Sequence, residues 1–409
     1  MKKTYFNQMS KGLKLAGVAY PTLVIDKERL DQNISHLMKT VNKGLDYRIV
    51  AKSLPCVELL KYIMSKTKTT RLMCFHLPFI MNVVQSIKGA DILLGKPMPT
   101  NAVDQFYQWY LSNQHILGFD HEKQMQWLVD SDQRLQKYEA LATALGITLN
   151  VNLEIDIGLH RGGYNTDKEF RQSLQRIKSS KALRLSGLMG YEAYITKVPA
   201  LLGGPKKAES ESKARYAHFK KLTESVIDDC SHLCFNTGGS TTYPLYEAGD
   251  SCNEISVASA LVKPSDFDVY TLNHHQPAAF IATPILKRVS NPEFPAAKSI
   301  STLLRTIGLL PKLACFIYGG NWLASPYYPE QSKRSTILGP SSNQEMYSLP
   351  DYCELQEDDY MFFRPSQSEA VFLQFGKIAI YEHGKIINWW PVFNYPDLGN
   401  TESKILKTA

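Results

Sequence analysis

Cysteine is sparse in this chain: seven residues among 409, an odd number, with no CxxC spacing. That excludes a disulfide-built scaffold and makes a reduced, cytoplasmic protein the expected setting. Long apolar runs are lacking as well. The most hydrophobic stretch, residues 307–324, is broken by Pro311, Lys312 and Asn321, too interrupted for a membrane span. The opening MKKTYFNQMSKGLKL begins basic but has no continuous apolar core, so no signal peptide is expected. Lys and Arg (46) exceed Asp and Glu (39) to give a net charge of +7, without a basic run of the kind a nucleic-acid arm or membrane anchor needs. Internal repeats and low-complexity tracts are absent. What is present, 44% hydrophobic, 21% charged and 11% aromatic residues, is enough for a sizeable buried core. A length of 409 suggests two domains, or one large barrel with an appendage.

From about residue 20, short β-rich runs alternate with longer amphipathic stretches. YRIVA near Arg48, RLMCF (Arg71–Phe75), DILLG (Asp91–Gly95), HILGF (His115–Phe119), ITLNVNLEID (Ile147–Asp156), LRLSGLMGY (Leu183–Tyr191), HLCFN (His232–Asn236) and EISVAS (Glu254–Ser259) read as strands. Helical stretches are predicted from Pro55, over Pro78–Ile87, Asn101–Ser112, His121–Leu128 and Asp167–Ser179, and around Ala208–Asp228. Runs this apolar suit parallel strands buried on both faces, and eight of them predict a (β/α)8 barrel over residues 20–265. Beyond it, strand-like segments separated by Pro, Gly, Ser and Asn clusters predict an all-β domain of residues 266–409 joined by residues 1–19.

Four clusters fall at C-terminal strand ends, where barrel active sites are built. Lys52 ends the first strand, where partial desolvation would free its amine for Schiff-base chemistry; an isolated Lys of this kind is more often a snorkelling surface residue. Glu154 and Asp156 share a strand face ahead of Gly158, His160 and Arg161, a pattern open to anion binding or a structural ion-pair network. Phe235–Tyr243 carries Gly238, Gly239, Ser240 and Thr241, backbone and hydroxyl donors of the kind a phosphate needs. Tyr191 follows the sixth strand and could face a flat ring or simply pack. Cys230, His232 and Cys234 alternate, but no fourth ligand is evident and a metal there is not expected. A lysine on one side of a barrel mouth and a phosphate cradle on the other fit one ligand, pyridoxal phosphate.

The motifs YPTLVID (Tyr20–Asp26), RIVAKS (Arg48–Ser53), ILLGKP (Ile92–Pro97), EIDIGLHRGG (Glu154–Gly163), GLMGYEA (Gly187–Ala193), NTGGSTTY (Asn236–Tyr243) and EISVAS come in one order over nearly the whole chain. In these the sequence resembles the D-threonine aldolase/D-serine dehydratase-like family, pyridoxal-phosphate enzymes with an alanine-racemase barrel and a C-terminal β domain. The resemblance implies that Lys52 is the Schiff-base lysine, that Arg161 approaches the cofactor's phenolic oxygen, and that Tyr191 lies beside the ring. It also implies that Gly238, Gly239, Ser240 and Thr241 form the phosphate loop, and that Ser259, which matches the Ser of the family's G-S-Y segment, binds the cofactor.

Two departures stand out. Val50 and Leu54 occupy positions where the family's lysine motif has histidines. In the segment Arg364–Glu369, Gln367 and Glu369 stand where metal-dependent members carry His and Cys or Asp, which argues against a zinc site of the family type. A changed metal site on Gln367 and Glu369 stays open. The implied activity is a lyase acting on D-amino acids, as an aldolase or a dehydratase on β-hydroxy substrates. A racemase is the alternative, with Tyr318, Tyr327 or Tyr328 as second base by residue type, and a non-catalytic cofactor carrier is a third. The expected partners are a small-molecule amino acid and a second copy in a homodimer, with no nucleic acid or membrane.

Overall fold

In the computed structural model, residues 2–293, 295 and 298–395 are described. The chain divides into two units. One takes the chain up to Asn33 with Leu261–Asp268 and His275–Val392; the other takes Ile34–Ala260 with Val269–His274 and the chain from Phe393.

The first strand, β1 (Thr22–Asp26), lies outside the barrel that the sequence assigned it to. All five of its residues are buried, and it pairs antiparallel with β10 (Ala279–Ser290) and parallel with Lys377–Glu382 in a nine-stranded sheet. A strand covered on both faces is uniformly apolar whichever sheet it joins, so composition alone did not distinguish the two. Residues 2–15 are not β structure either. They form helix α1 (Lys2–Leu15), whose Phe6, Met9 and Leu13 pack with Val24, Phe280 and Phe362 in the core of this unit. The spacing i, i+3, i+7 puts those three on one face. Phe6 stacks on Tyr328 with ring centroids 5.1 Å apart.

The other unit is the expected barrel. Strands β2 (Asp46–Val50), β3 (Arg71–Cys74), β4 (Asp91–Leu94), β5 (Met125–Val129), β6 (Leu149–Ile155), β7 (Leu183–Gly190), β8 (Cys234–Thr237) and β9 (Glu254–Val257) close on themselves, each parallel to its neighbours. The count of eight holds, but its fourth member is not HILGF. Residues Thr100–Leu117 are one 18-residue helix that stops at Gly118, in the left-handed conformation at φ 58°. Asp120 then caps a single turn, His121–Gln124, and the strand is MQWLV, where a helix was expected. Trp127 at its centre is fully buried and donates its indole N–H to the Tyr107 hydroxyl at 3.0 Å. The long helix runs Gly204–Glu224, four residues ahead of its expected span.

The N-terminal half of the barrel is ionic rather than aliphatic. Arg48, fully buried on β2, donates to both oxygens of Glu254 on β9 at 2.6 and 3.1 Å. It also reaches the Asp91 carboxylate at 3.0 Å, and Arg71 adds a 2.8 Å bond to Glu254. Burial alone would raise the Glu254 pKa; the charges of Arg48 and Arg71 outweigh it and hold the carboxyl well below its ordinary 4.5.

Removing one partner of such a pair strands the other in low dielectric. Arg48→Met is therefore expected to cost about 3–5 kcal/mol in denaturant unfolding, with the double replacement Arg48→Met/Glu254→Leu recovering much of it. Because the folded pKa of Glu254 lies below the unfolded one, its contribution is complete above pH 4.5 and is lost as pH falls below it. A wild-type stability curve without that acid limb would contradict the assignment.

Candidate active site

Parallel strands send every segment that follows them to the same end of the barrel. Lys52 follows β2, Arg161 follows β6, Tyr191 follows β7, Gly238–Thr241 closes β8 and Ser259 follows β9. The predicted residues thus share one mouth, at the C-terminal ends of the strands.

Lys52 sits in a single tight turn, Ala51–Ser53, half-buried, with Nζ 4.9 Å from the centroid of the Phe75 ring. Phe75, expected only as the end of a strand, is set by Gly95. A Cβ built at Gly95 would lie 2.1 Å from Phe75 Cζ, so the glycine of ILLGKP makes room for the ring beside the lysine. On β6 and β7 a second group assembles. The Arg161 guanidinium lies 5.3 Å from the Tyr191 ring centroid and 4.0 Å from the Glu154 carboxylate. A Cβ at Gly239 would lie 2.7 Å from Tyr191 Cε2, so the tyrosine touches both Arg161 and the loop after β8.

The two carboxylates of β6 take different environments. Asp156 accepts from the N–H groups of Gly158 and His160 at 3.0 Å each and meets His160 Nδ1 at 2.6 Å. Burial opposes its ionisation, but these bonds prevail and hold its pKa below the ordinary value, so Asp156 shapes the loop that carries Arg161. Glu154 has no such donors. Burial pushes its pKa up, with Arg161 opposing.

Beneath the glycine loop lies a group that the sequence reading passed over. Glu192, next to Tyr191, is fully buried and accepts from the Thr237 hydroxyl at 2.8 Å, the Thr242 hydroxyl, and more weakly the Gly238 N–H at 3.4 Å. Burial raises its pKa, and the hydroxyl and amide donors only partly offset this. Gly238, at φ 73°, makes the turn that brings these donors together. Only its place in GYEA hinted at this, since burial is not written in a dipeptide. The loop is tied further by Ser240 Oγ accepting from Ala258 N–H at 3.2 Å and by Thr271 donating to the Thr241 carbonyl at 2.6 Å. Among the described residues, the N–H groups of Ser240 and Thr241 donate no hydrogen bond. Ser259 is buried at the start of the turn Ser259–Val262.

The remaining candidates lie elsewhere. Only Cys234 of the three alternating residues is on a strand, and its thiol donates to Glu254 at 3.2 Å. Among the described residues no group of three or more His, Cys, Asp or Glu is placed to hold a metal. In the β unit, Arg364 pairs with both Asp268 oxygens at 2.7 Å, and Gln367 donates to Asp266 at 3.0 Å. Tyr327 and Tyr328 both lie against the Phe6 ring, and Tyr318 is exposed. No helix of the described residues is long and apolar enough to cross a membrane.

The model of the alanine racemase N-terminal domain family matches residues 25–263, and the chain belongs to that family, whose members bind pyridoxal phosphate. No curated protein matches the chain. Solved structures with the same fold include D-threonine aldolase from Filomicrobium marinum (16% identity, TM-score 0.69, 91% of this chain and 95% of that one). D-threo-3-hydroxyaspartate dehydratase from Delftia sp. HT23 is similar at 14% identity and TM-score 0.67, over 91% and 97% of the two chains. Alanine racemase from Bacillus anthracis is similar at 12% identity and TM-score 0.67, over 91% and 98%.

The residues present fit that cofactor. Unengaged N–H groups and hydroxyls on the loop after β8 suit a phosphate, Phe75 and Tyr191 offer aromatic surface, and Lys52 offers an amine.

Glu192→Ala removes the acceptor of two buried hydroxyls and is expected to destabilise by about 1–3 kcal/mol, whereas Glu192→Gln keeps an acceptor and is tolerated. The folded pKa of Glu192 lies above the unfolded one, so wild type should lose stability relative to Glu192→Gln as pH rises above 4.5. Thermal unfolding of the pair across pH checks this; a difference that does not change with pH would refute it.

Proposed function

We propose that this chain is a pyridoxal-phosphate-dependent lyase acting on D-amino acids, with β-hydroxy substrates cleaved as by an aldolase or dehydrated. One observation carries the reading: an amine, an aromatic-backed guanidinium and a glycine loop with unengaged N–H donors share one barrel mouth. The cofactor, when bound, supplies the electron sink for a carbanion at Cα. Lys52 would hold it, and its amine would serve as the base that takes the Cα proton in the dehydratase form of the reaction. Phe75 excludes water from the amine on one side. Arg161 would face the ring oxygen, with Glu154 and Tyr191 setting its direction. Ser240, Thr241 and Ser259 hold the phosphate, and Glu192 keeps their loop in shape from below.

A racemase would need a second base facing Cα. Of the three tyrosines suited by type, Tyr327 and Tyr328 are committed to packing around Phe6, and Tyr328 also points its hydroxyl toward Asn7 at 3.4 Å. Tyr318 is exposed, which keeps the racemase as the second reading.

Purified protein supplied with pyridoxal phosphate should gain a visible absorbance band that Lys52→Ala lacks. The wild-type band should shift with D-threonine or D-serine and not with their L-forms, releasing aldehyde or ammonia. Interconversion of enantiomers without other product would make it a racemase, and a band retained in Lys52→Ala would remove the lysine assignment. A homodimer accompanies this proposal, and light scattering of an active, strictly monomeric enzyme would contradict that part.

A further inference from the structure

The barrel has a second mouth. At the N-terminal ends of its strands, opposite to Lys52, a cavity of about 450 Å³ is lined by residues at or just before the start of every barrel strand, from Asp46 on β2 to Asn253 ahead of β9. One side of it is chemically complete: Arg48, Arg71, Asp91 and Glu254 satisfy one another. The other side is not. On three consecutive strands, side-chain polar atoms are turned away from solvent and have no hydrogen-bond partner: Gln126 Oε1 on β5, both amide atoms of Asn152 on β6, and Ser186 Oγ on β7.

Gln126 and Ser186 line the cavity itself. Gln126 is 9% exposed and Asn152 fully buried. Asn152 lies one step deeper, two residues along β6 from the cavity-lining Asn150, and the absence of a side chain at Gly187 lets the two strands close around it. The orientation of Gln126 is fixed, because its Nε2 already donates to Asp91 at 3.0 Å and so leaves Oε1 as the acceptor. Native interiors seldom leave four such atoms unpaired in one place, because each costs its desolvation without return.

The charge on this side is ordered. Glu122 lies just ahead of β5, next to Lys123, which pairs with Asp120, and Arg184 lies on β7. Glu122 and Arg184 make no side-chain ion pair or hydrogen bond among the described residues. An occupant that meets the cavity-lining groups therefore presents a hydrogen-bond donor to Gln126 Oε1 beside Glu122, and an acceptor to Arg184. A zwitterion does both: its ammonium has three donors and its carboxylate pairs with guanidinium.

We propose that the N-terminal mouth of the barrel is a second binding site, for a small α-amino acid, with the ammonium at Gln126 and the carboxylate at Arg184. It is separated from the catalytic mouth by the length of the strands, and it stands whether or not the proposed reaction does.

The test uses the full-length, cofactor-loaded protein and glycine as probe, with calorimetry and cofactor absorbance read on the same sample. Glycine at the catalytic mouth alters the absorbance band; glycine at the other mouth does not. The expected result is a saturable binding event that leaves the band unchanged and is weakened about tenfold or more by Arg184→Ala. Arg184 is exposed, so its replacement leaves folding intact; Gln126→Leu should weaken binding as well. Crystals soaked in glycine should show it between Gln126 and Arg184. Binding that always alters the band, binding unaffected by Arg184→Ala, or soaked crystals with water alone on Gln126 Oε1 would each overturn the proposal.

Discussion

The barrel closes at the seam between β2 and β9, and every strand-end position at its two mouths follows from that closure. The two strands are the first and last of the barrel, and they meet in register from Asp46 against Glu254 to Ile49 against Val257. Backbone pairing alone would leave the closure as weak as any other parallel junction. Here it is reinforced by the buried Arg48–Glu254 pair and by Tyr47, whose hydroxyl donates to the Val257 carbonyl at 2.9 Å. Closing this seam brings the turn that holds Lys52, four residues after Arg48, alongside the segment that reaches Ser259, five after Glu254. The mouth that carries Lys52 and the Arg48–Glu254 ion pair are thus opposite ends of the same two strands.

Carboxylates in this barrel do opposite things according to what surrounds them. Glu254 faces two guanidinium groups and is held ionised. Asp156 is held ionised by amide donors and a histidine, and in turn fixes the Arg161 loop. Glu192 has only hydroxyls and amides around it, and burial pushes it toward the neutral form. That difference matters beneath a loop proposed to bind phosphate. An ionised carboxylate there would oppose the ligand, while a neutral one holds the loop without that penalty.

Much of this was legible in the sequence because the barrel punctuates itself. Apolar runs end in glycine or polar residues at the mouth, so Lys52, Arg161, Tyr191 and Gly238–Thr241 could be placed at strand ends from pattern alone. The failures were those of short apolar runs. HILGF is as apolar as MQWLV, yet the first ends a helix and the second is the strand; only the left-handed Gly118 and the Asp120 cap separate them. Residues 20–26 fall within the expected barrel span, yet β1 pairs only in the nine-stranded sheet. Glu192 and Phe75 escaped because their roles come from burial and from a glycine opposite, neither of which is local in sequence.

The central claim is that the seam delivers Lys52 as the cofactor's attachment point. Borohydride reduction of the cofactor-loaded protein, followed by proteolysis and mass spectrometry, tests it most directly. A pyridoxyl-phosphate adduct is expected on the peptide containing Lys52 and on no other lysine. An adduct on a different lysine, or none after loading with pyridoxal phosphate, would contradict it.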